Sequence, residues 1–172
     1  MGLVRLILVL IIVGASAGCA SSNARPRPFP GAPEPPAAEE REKPPAAGVD
    51  GALIVETALS FRGVPYRTGG TDPSGFDCSG LVQYVFRQHG VALPREVREQ
   101  AELGSKVRLA GIEAGDLIFF STTANGPSHV GISIGGDQFV HAPSARGVVR
   151  VERFSAVYWS SRIVGVRRVT QP

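Results

Sequence analysis

The sequence predicts an α+β fold, with helices packed on an antiparallel β-sheet. Three observations lead there. Apolar residues recur at helical spacing up to about residue 103, and short apolar or alternating runs bounded by Gly, Pro and Ser take over from residue 116. Helices first and strands after, joined by short turns, favour α+β over alternating βαβ units. The 172 residues suit one domain with extensions, and an apolar content of 43% is enough for a packed core.

Asp50 is placed to cap a first helix running through Phe61, with Ile54, Ala58 and Phe61 on one face and Gly63 as its stop. Residues 64–74 contain Pro65, Gly69, Gly70 and Pro73 and are expected to form a loop. A second helix is predicted over residues 78–89. Leu81, Val82, Val85, Phe86 and His89 form its buried stripe, and Gly90 ends it. A short helix is expected over 97–103. Strands are then expected at 116–120, 129–134, 138–141, 148–151 and 163–169.

The N-terminus has the makings of an export signal. Arg5 is followed by an unbroken apolar run, Leu6 to Val13, and then by small residues up to Cys19. Eight apolar residues extend only about 12 Å as a helix, against a bilayer core of ~30 Å, so a permanent span is disfavoured. Ala17-Gly18-Cys19 resembles the lipobox of bacterial lipoproteins, with Ser16 where an aliphatic residue is typical. Ala15-Ser16-Ala17 also fits ordinary signal-peptidase cleavage. Lipidation is preferred because it accounts for a Cys at this position. Otherwise Cys19 is incidental and the mature protein is soluble. Residues 20–48 hold eight of the 14 prolines and, apart from Phe29, little apolar bulk, as in an unstructured spacer. Extended as polyproline II, ~29 residues reach on the order of 90 Å. The expected organisation is a signal peptide over 1–18, a lipid-anchored Pro-rich linker over 19–48 and a folded domain over 49–172. By resemblance to lipoprotein sorting, Ala20 after the Cys implies an exported protein on the outer membrane, facing the periplasm.

Charge narrows the partners. The formal net charge is only +3. From Val49 onward there are 13 Lys plus Arg against 11 Asp plus Glu, and no basic stripe interleaved with aromatics, so nucleic acid is an unexpected partner. Arg146, Arg150 and Arg153 fit a solvated strand face better than a binding patch.

Cys78 stands at the start of the second helix, where unpaired N–H groups and the macrodipole favour thiolate, the nucleophilic form. With Cys19 set aside for lipid, it has no disulfide partner. A buried structural Cys is the plain alternative. Of the three histidines, His129 opens a strand after the Gly126-Pro127 turn and His141 ends the next one. A hairpin would bring both imidazoles to one edge, one to take the thiol proton and the other to accept an N–H from its partner ring. An ion pair of thiolate and imidazolium is expected. His89, beside Gly90, complements the helix C-terminus and is taken as structural.

Six segments carry a resemblance: Pro65-Tyr66-Arg67-Thr68-Gly69-Gly70, Phe76-Asp77-Cys78-Ser79-Gly80-Leu81-Val82-Gln83, Leu93-Pro94-Arg95, Gly115-Asp116-Leu117-Ile118-Phe119-Phe120, His129-Val130-Gly131-Ile132 and Phe139-Val140-His141-Ala142. In this order they resemble the NlpC family of cell-wall cysteine peptidases, apart from Thr68 where an aromatic is frequent. The resemblance implies a papain-like core and a peptidoglycan endopeptidase that hydrolyses stem-peptide or cross-link bonds. It makes Cys78 the nucleophile, His129 the base and His141 the orienting residue. Tyr66 is implied as a donor to oxyanion or substrate, and Asp77 and Ser79 as contacts for a substrate amine. No cofactor or metal is required. The implied partners are wall peptides and, through the Cys19 lipid, a membrane; the protein is expected to be a monomer.

Other classes remain open on sequence alone. A non-catalytic wall-associated scaffold lipoprotein, or an amidase or acyltransferase of the same thiol chemistry, would share these residues. A zinc site from Cys78, His129 and His141 lacks paired-Cys or His-Glu-x-x-His spacing. With no second wall-binding module in the sequence, targeting is left to the tether or a partner. The sequence does not choose between the bond from D-Glu to diaminopimelate and a D-Ala cross-link, and it names no regulator.

Overall fold

The structure, a computed structural model, describes residues 50–144 and 147–169. The signal, Cys19, the linker and Arg146 lie outside the described residues. Asp50 accepts the Ala52 N–H at 2.9 Å and caps α1 (Gly51–Ser60), which buries Ile54 and Ala58. The segment expected as loop is largely turn and irregular chain, but its end, β1 (Thr71–Asp72), pairs with β2 (Gly75–Phe76) in a small hairpin, the latter bridged by Tyr66. The turn residues explain both outcomes. Asp72 Oδ1 accepts the Ser74 N–H at 2.8 Å, tightening the chain enough for two residues on each side to pair.

The second helix, α2 (Cys78–Gln88), starts at Asp77, whose Oδ1 accepts the Gly80 N–H at 2.8 Å. Leu81, Val82, Val85 and Phe86 are buried as the periodicity predicts. His89 is not part of that stripe. It is the half-buried C-cap, and its Nε2 meets Thr57 Oγ1 of α1 at 2.8 Å. Helix α3 (Val97–Gln100) is shorter than expected, because the chain after it tightens into i→i+3 turns, with Leu103 N–H on the Gln100 carbonyl at 3.2 Å.

Strands β3 (Ser105–Lys106), β4 (Leu117–Phe120), β5 (His129–Gly135), β6 (Gln138–His141), β7 (Arg150–Arg153) and β8 (Ile163–Arg168) form one antiparallel sheet, in the order β3-β8-β4-β5-β6-β7. A 3₁₀ turn (Leu109–Gly111) precedes β4, and α4 (Val157–Ser160) lies between β7 and β8. Neither was predicted, nor was β3, since two to four residues are too few to show a period. Strand β7 begins two residues later than expected. Val148 instead bridges Pro65, and Val149 donates to the Val64 carbonyl at 2.8 Å while accepting from Gly63 at 2.9 Å. The apolar pair thus ties the sheet to the segment after α1.

Both faces of the sheet are covered. Leu117, Phe119, Val130, Ile132 and Val140 pack with the apolar stripes of α1 and α2. Ile118, Phe120, Phe139 and Val166 pack with Trp159 of α4 on the other side. This accounts for the continuous apolar run of β4, whose four residues are all buried.

Candidate active site

Cys78 is the first residue of α2, and its sulfur is largely enclosed. Backbone N–H groups of Val130, Ser79 and Cys78 itself act on the sulfur and lower its pKa. Val130 directly follows His129, so the thiol lies against the start of β5, the strand that carries the candidate base. His129, 5% exposed, stacks on Trp159 with ring centroids 5.4 Å apart and planes 26° apart. Its Nε2 lies 2.8 Å from Nδ1 of His141, which is fully buried at the end of β6. The pairing is diagonal across the hairpin: Ile132 faces Val140, so in that register His141 lies across from Gly131, two residues beyond His129. Gly131 suits this crowded spot, because a Cβ there would come within 2.5 Å of the Phe139 ring.

The electrostatics differ from the sequence expectation. Burial pushes the Cys78 thiol up, against the amide groups and with help from the Asp77 charge. Burial pulls His129 down to about 4, only partly opposed by Glu152. His141 is depressed further, by burial and by its neighbours His129 and Arg150. Taken singly, all three shifts favour the uncharged form of their own group, against the ion pair expected from the helix start. Loss of hydration outweighs the helix terminus.

Tyr66 is half-buried beside the sulfur. Burial raises its pKa, Thr68 lowers it through a hydrogen bond, and the charges of Cys78 and Asp77 raise it further. The phenol is therefore a standing hydrogen-bond donor. Asp77 and Ser79 are committed within the protein. Besides capping α2, Asp77 accepts from Gly69 N–H at 3.0 Å and from the Arg95 guanidinium, while Arg95 also donates to Ser79 Oγ at 2.6 Å. Gln100, fully buried, donates to the Ser79 carbonyl at 3.1 Å and the Pro94 carbonyl at 2.9 Å, locking the Arg95 segment to the start of α2. Arg150 and Arg153 are exposed and paired with Glu152 and Asp137, consistent with a solvated strand.

A groove of about 400 Å³ opens beside His129, lined by Thr122, Arg150, Glu152, Tyr158 and Trp159 among others. Sequence reasoning gave no role to Arg95, Gln100, Glu152 or Trp159. Arg95 stood in a quoted motif and Trp159 is the single Trp. Glu152 offered no signal, because its relevance comes from strand pairing. Among the described residues, no three His, Cys, Asp or Glu side chains converge as a metal site.

Residues 63–168 match the model of the NlpC/P60 family. The chain is 45% identical over 118 residues to the Gamma-DL-glutamyl hydrolase of Bacillus subtilis, covering 67% of this chain and 28% of that protein. It is 43% identical over 117 residues to the Murein DD-endopeptidase MepS/Murein LD-carboxypeptidase of Escherichia coli, covering 67% of this chain and 61% of that one. The match thus spans from about a quarter to three fifths of these relatives. Among solved structures, an NlpC/P60 family protein from Bacillus cereus superposes with a TM-score of 0.68 at 30% identity, covering 73% of this chain and 42% of its own. The NlpC/p60 domain of the peptidoglycan hydrolase SagA superposes at 0.61 with 38% identity, covering 69% and 98%.

Proposed function

The chain belongs to the NlpC/P60 family, and from that premise we propose that it is a cysteine peptidase hydrolysing peptide bonds in bacterial peptidoglycan. The observation that carries the proposal is a helix-start thiol that receives the N–H of Val130, the residue after His129, whose ring meets His141 at 2.8 Å. Relatives named as a γ-DL-glutamyl hydrolase and a murein DD-endopeptidase support the substrate class.

In this reading the Cys78 sulfur attacks the carbonyl carbon of a stem-peptide or cross-link bond as His129 takes the thiol proton. His129 returns that proton to the leaving amine, and water then hydrolyses the thioester. A neutral resting pair suits this sequence, since the proton moves during attack rather than before it. The Cys78 N–H at the start of α2 and the Tyr66 phenol are the donors available to the oxyanion, and one such donor lowers a barrier by roughly 3 kcal/mol. His141 orients the base. Asp77 and Ser79, tied to Arg95, shape the helix start rather than offering free acceptors to a substrate amine.

The test is to incubate the purified chain with wall peptides containing a γ-D-glutamyl bond and with D-Ala cross-linked dimers, and to identify products by mass. Wild type should cleave at least one, and Cys78→Ala and Cys78→Ser neither, with the circular dichroism of the fold intact. Digestion by Cys78→Ala at the wild-type rate would remove the thiol mechanism; an inert wild type would leave the scaffold reading.

The N-terminal segment is proposed to export the protein and hold it to the outer membrane through a lipid on Cys19, with residues 20–48 as spacer. The support is the pattern of an apolar run followed by Ala17-Gly18-Cys19.

A further inference from the structure

We propose that Glu152 is a positioning residue that sets the proton arrangement of both histidines, extending the site to a chain Cys78–His129–His141–Glu152. The proposal rests on the peptidase reading above and begins from an orphaned atom. His141 is fully buried, and its Nε2 has no hydrogen-bond partner among the described residues. The acidic group facing that nitrogen is Glu152, with Oε1 3.6 Å away. Strand pairing puts it there: His141 lies opposite Arg150, which sets Glu152 on the diagonal, two residues along β7.

The carboxylate is itself held in place. Oε1 accepts from Arg150 Nε at 2.5 Å, and Oε2 accepts from the indole N–H of Trp159. The same indole stacks on His129 and meets His141 edge-on, with centroids 5.1 Å apart. One Trp therefore touches both imidazoles and the carboxylate. The groove beside His129 reaches Glu152 as well, so the carboxylate is three-quarters enclosed but not sealed.

The chemical consequence follows from counting protons. Burial keeps both rings neutral near pH 7, so each carries one N–H. A carboxylate facing Nε2 of His141 favours the tautomer with the proton on that nitrogen. Nδ1 of His141 is then bare and must accept, so His129 donates from Nε2 across the 2.8 Å contact. That leaves His129 Nδ1 with its lone pair free for the thiol proton. Without the carboxylate, His141 can carry its proton on Nδ1 and donate to His129. This forces the His129 proton onto Nδ1, where a lone pair is needed. At 3.6 Å the carboxylate is slightly beyond hydrogen-bond range and acts by charge. It also faces the imidazolium that forms when His129 takes the proton, while the Arg150 guanidinium limits the pull. The charged or titratable groups around the pair are Cys78 from α2 and Arg150 and Glu152 from β7.

The experiment compares wild type, Glu152→Gln and Glu152→Ala in the full chain, with ¹⁵N-histidine NMR for the tautomers and wall-peptide cleavage for kcat and KM. In wild type, His141 and His129 should both be protonated on Nε2. Glu152→Ala should populate Nδ1–H on His141 and reduce kcat roughly 10–100-fold with KM within about twofold. Glu152→Gln removes the charge but leaves an amide oxygen dipole facing Nε2, and should fall between the two. Unchanged tautomers in Glu152→Ala overturn the proposal, even if activity drops, because the loss would then reflect packing against Trp159. A wild type inactive on every wall peptide sinks the peptidase reading, while the tautomer measurement still decides the role of Glu152. Should Glu152→Ala fail to fold, Glu152→Gln carries the same comparison.

Discussion

At Cys78, three amide N–H groups favour the thiolate and burial favours the thiol, and burial is the largest influence. The same cost acts on His129, held at about 4. Two outcomes follow. Alkylation of Cys78 by iodoacetamide should climb with pH without a plateau below about 8.5, the ordinary thiol value. A plateau reached near pH 6 would restore the ion pair. Stability should also depend on pH. An unfolded His binds its proton near 6.5, whereas folded His129 refuses it until about 4. Between those values the unfolded state holds more protons, so stability is full above about pH 6.5 and is lost as pH falls toward 4. The loss attributable to His129 is about 3 kcal/mol. Urea denaturation across this window should show a shallower decline for His129→Gln than for wild type. His141, depressed in the same direction, contributes to the remainder.

At the scale of elements, the start of α2 is the critical junction. Asp77 caps the helix, takes the Gly69 N–H from the preceding loop, and holds Arg95 from the segment before α3. Three separate stretches of chain therefore meet on one carboxylate that is 14% exposed. Removing it leaves the cap N–H groups and a partly buried guanidinium without their acceptor. Asp77→Ala should destabilise by about 1–2 kcal/mol from the cap alone. A double-mutant cycle with Arg95→Ala should show coupling on the order of 0.5–3 kcal/mol. Additive effects of the two substitutions would mean that Arg95 is held by Ser79 rather than by Asp77.

For the whole chain, the peptidase reading falls on the described domain and the proposed membrane attachment on the N-terminal segment. No helix among the described residues is long and apolar enough to cross a membrane. The proposed attachment is through a lipid on Cys19. Intact-mass analysis of the protein from a Gram-negative host should find a diacylated Cys19 at the mature N-terminus, in the membrane fraction. Cys19→Ser should release the chain to the soluble fraction without changing the cleavage of soluble wall peptides. A soluble wild-type protein beginning at Gly18 would replace the lipid reading with ordinary secretion.

Periodicity alone marked α1 and α2 and the runs that became β4, β5, β6 and β8, because long stripes and bounded apolar runs are local properties. Two placements were legible too: Cys78 at a helix start, and His129 meeting His141 across one hairpin. The elements β1 to β3 and α4 were not, since they exist by pairing or packing with distant chain. Val148 shows the same limit, an apolar residue that looks like strand until Pro65 claims it. What the tertiary structure alone decided is the burial and the wiring of the site. Burial, which works against the expected ion pair, depends on what covers a group from both sheet faces. The approach of Glu152 to His141 depends on the register between β6 and β7, and no local sequence pattern encodes a register across strands.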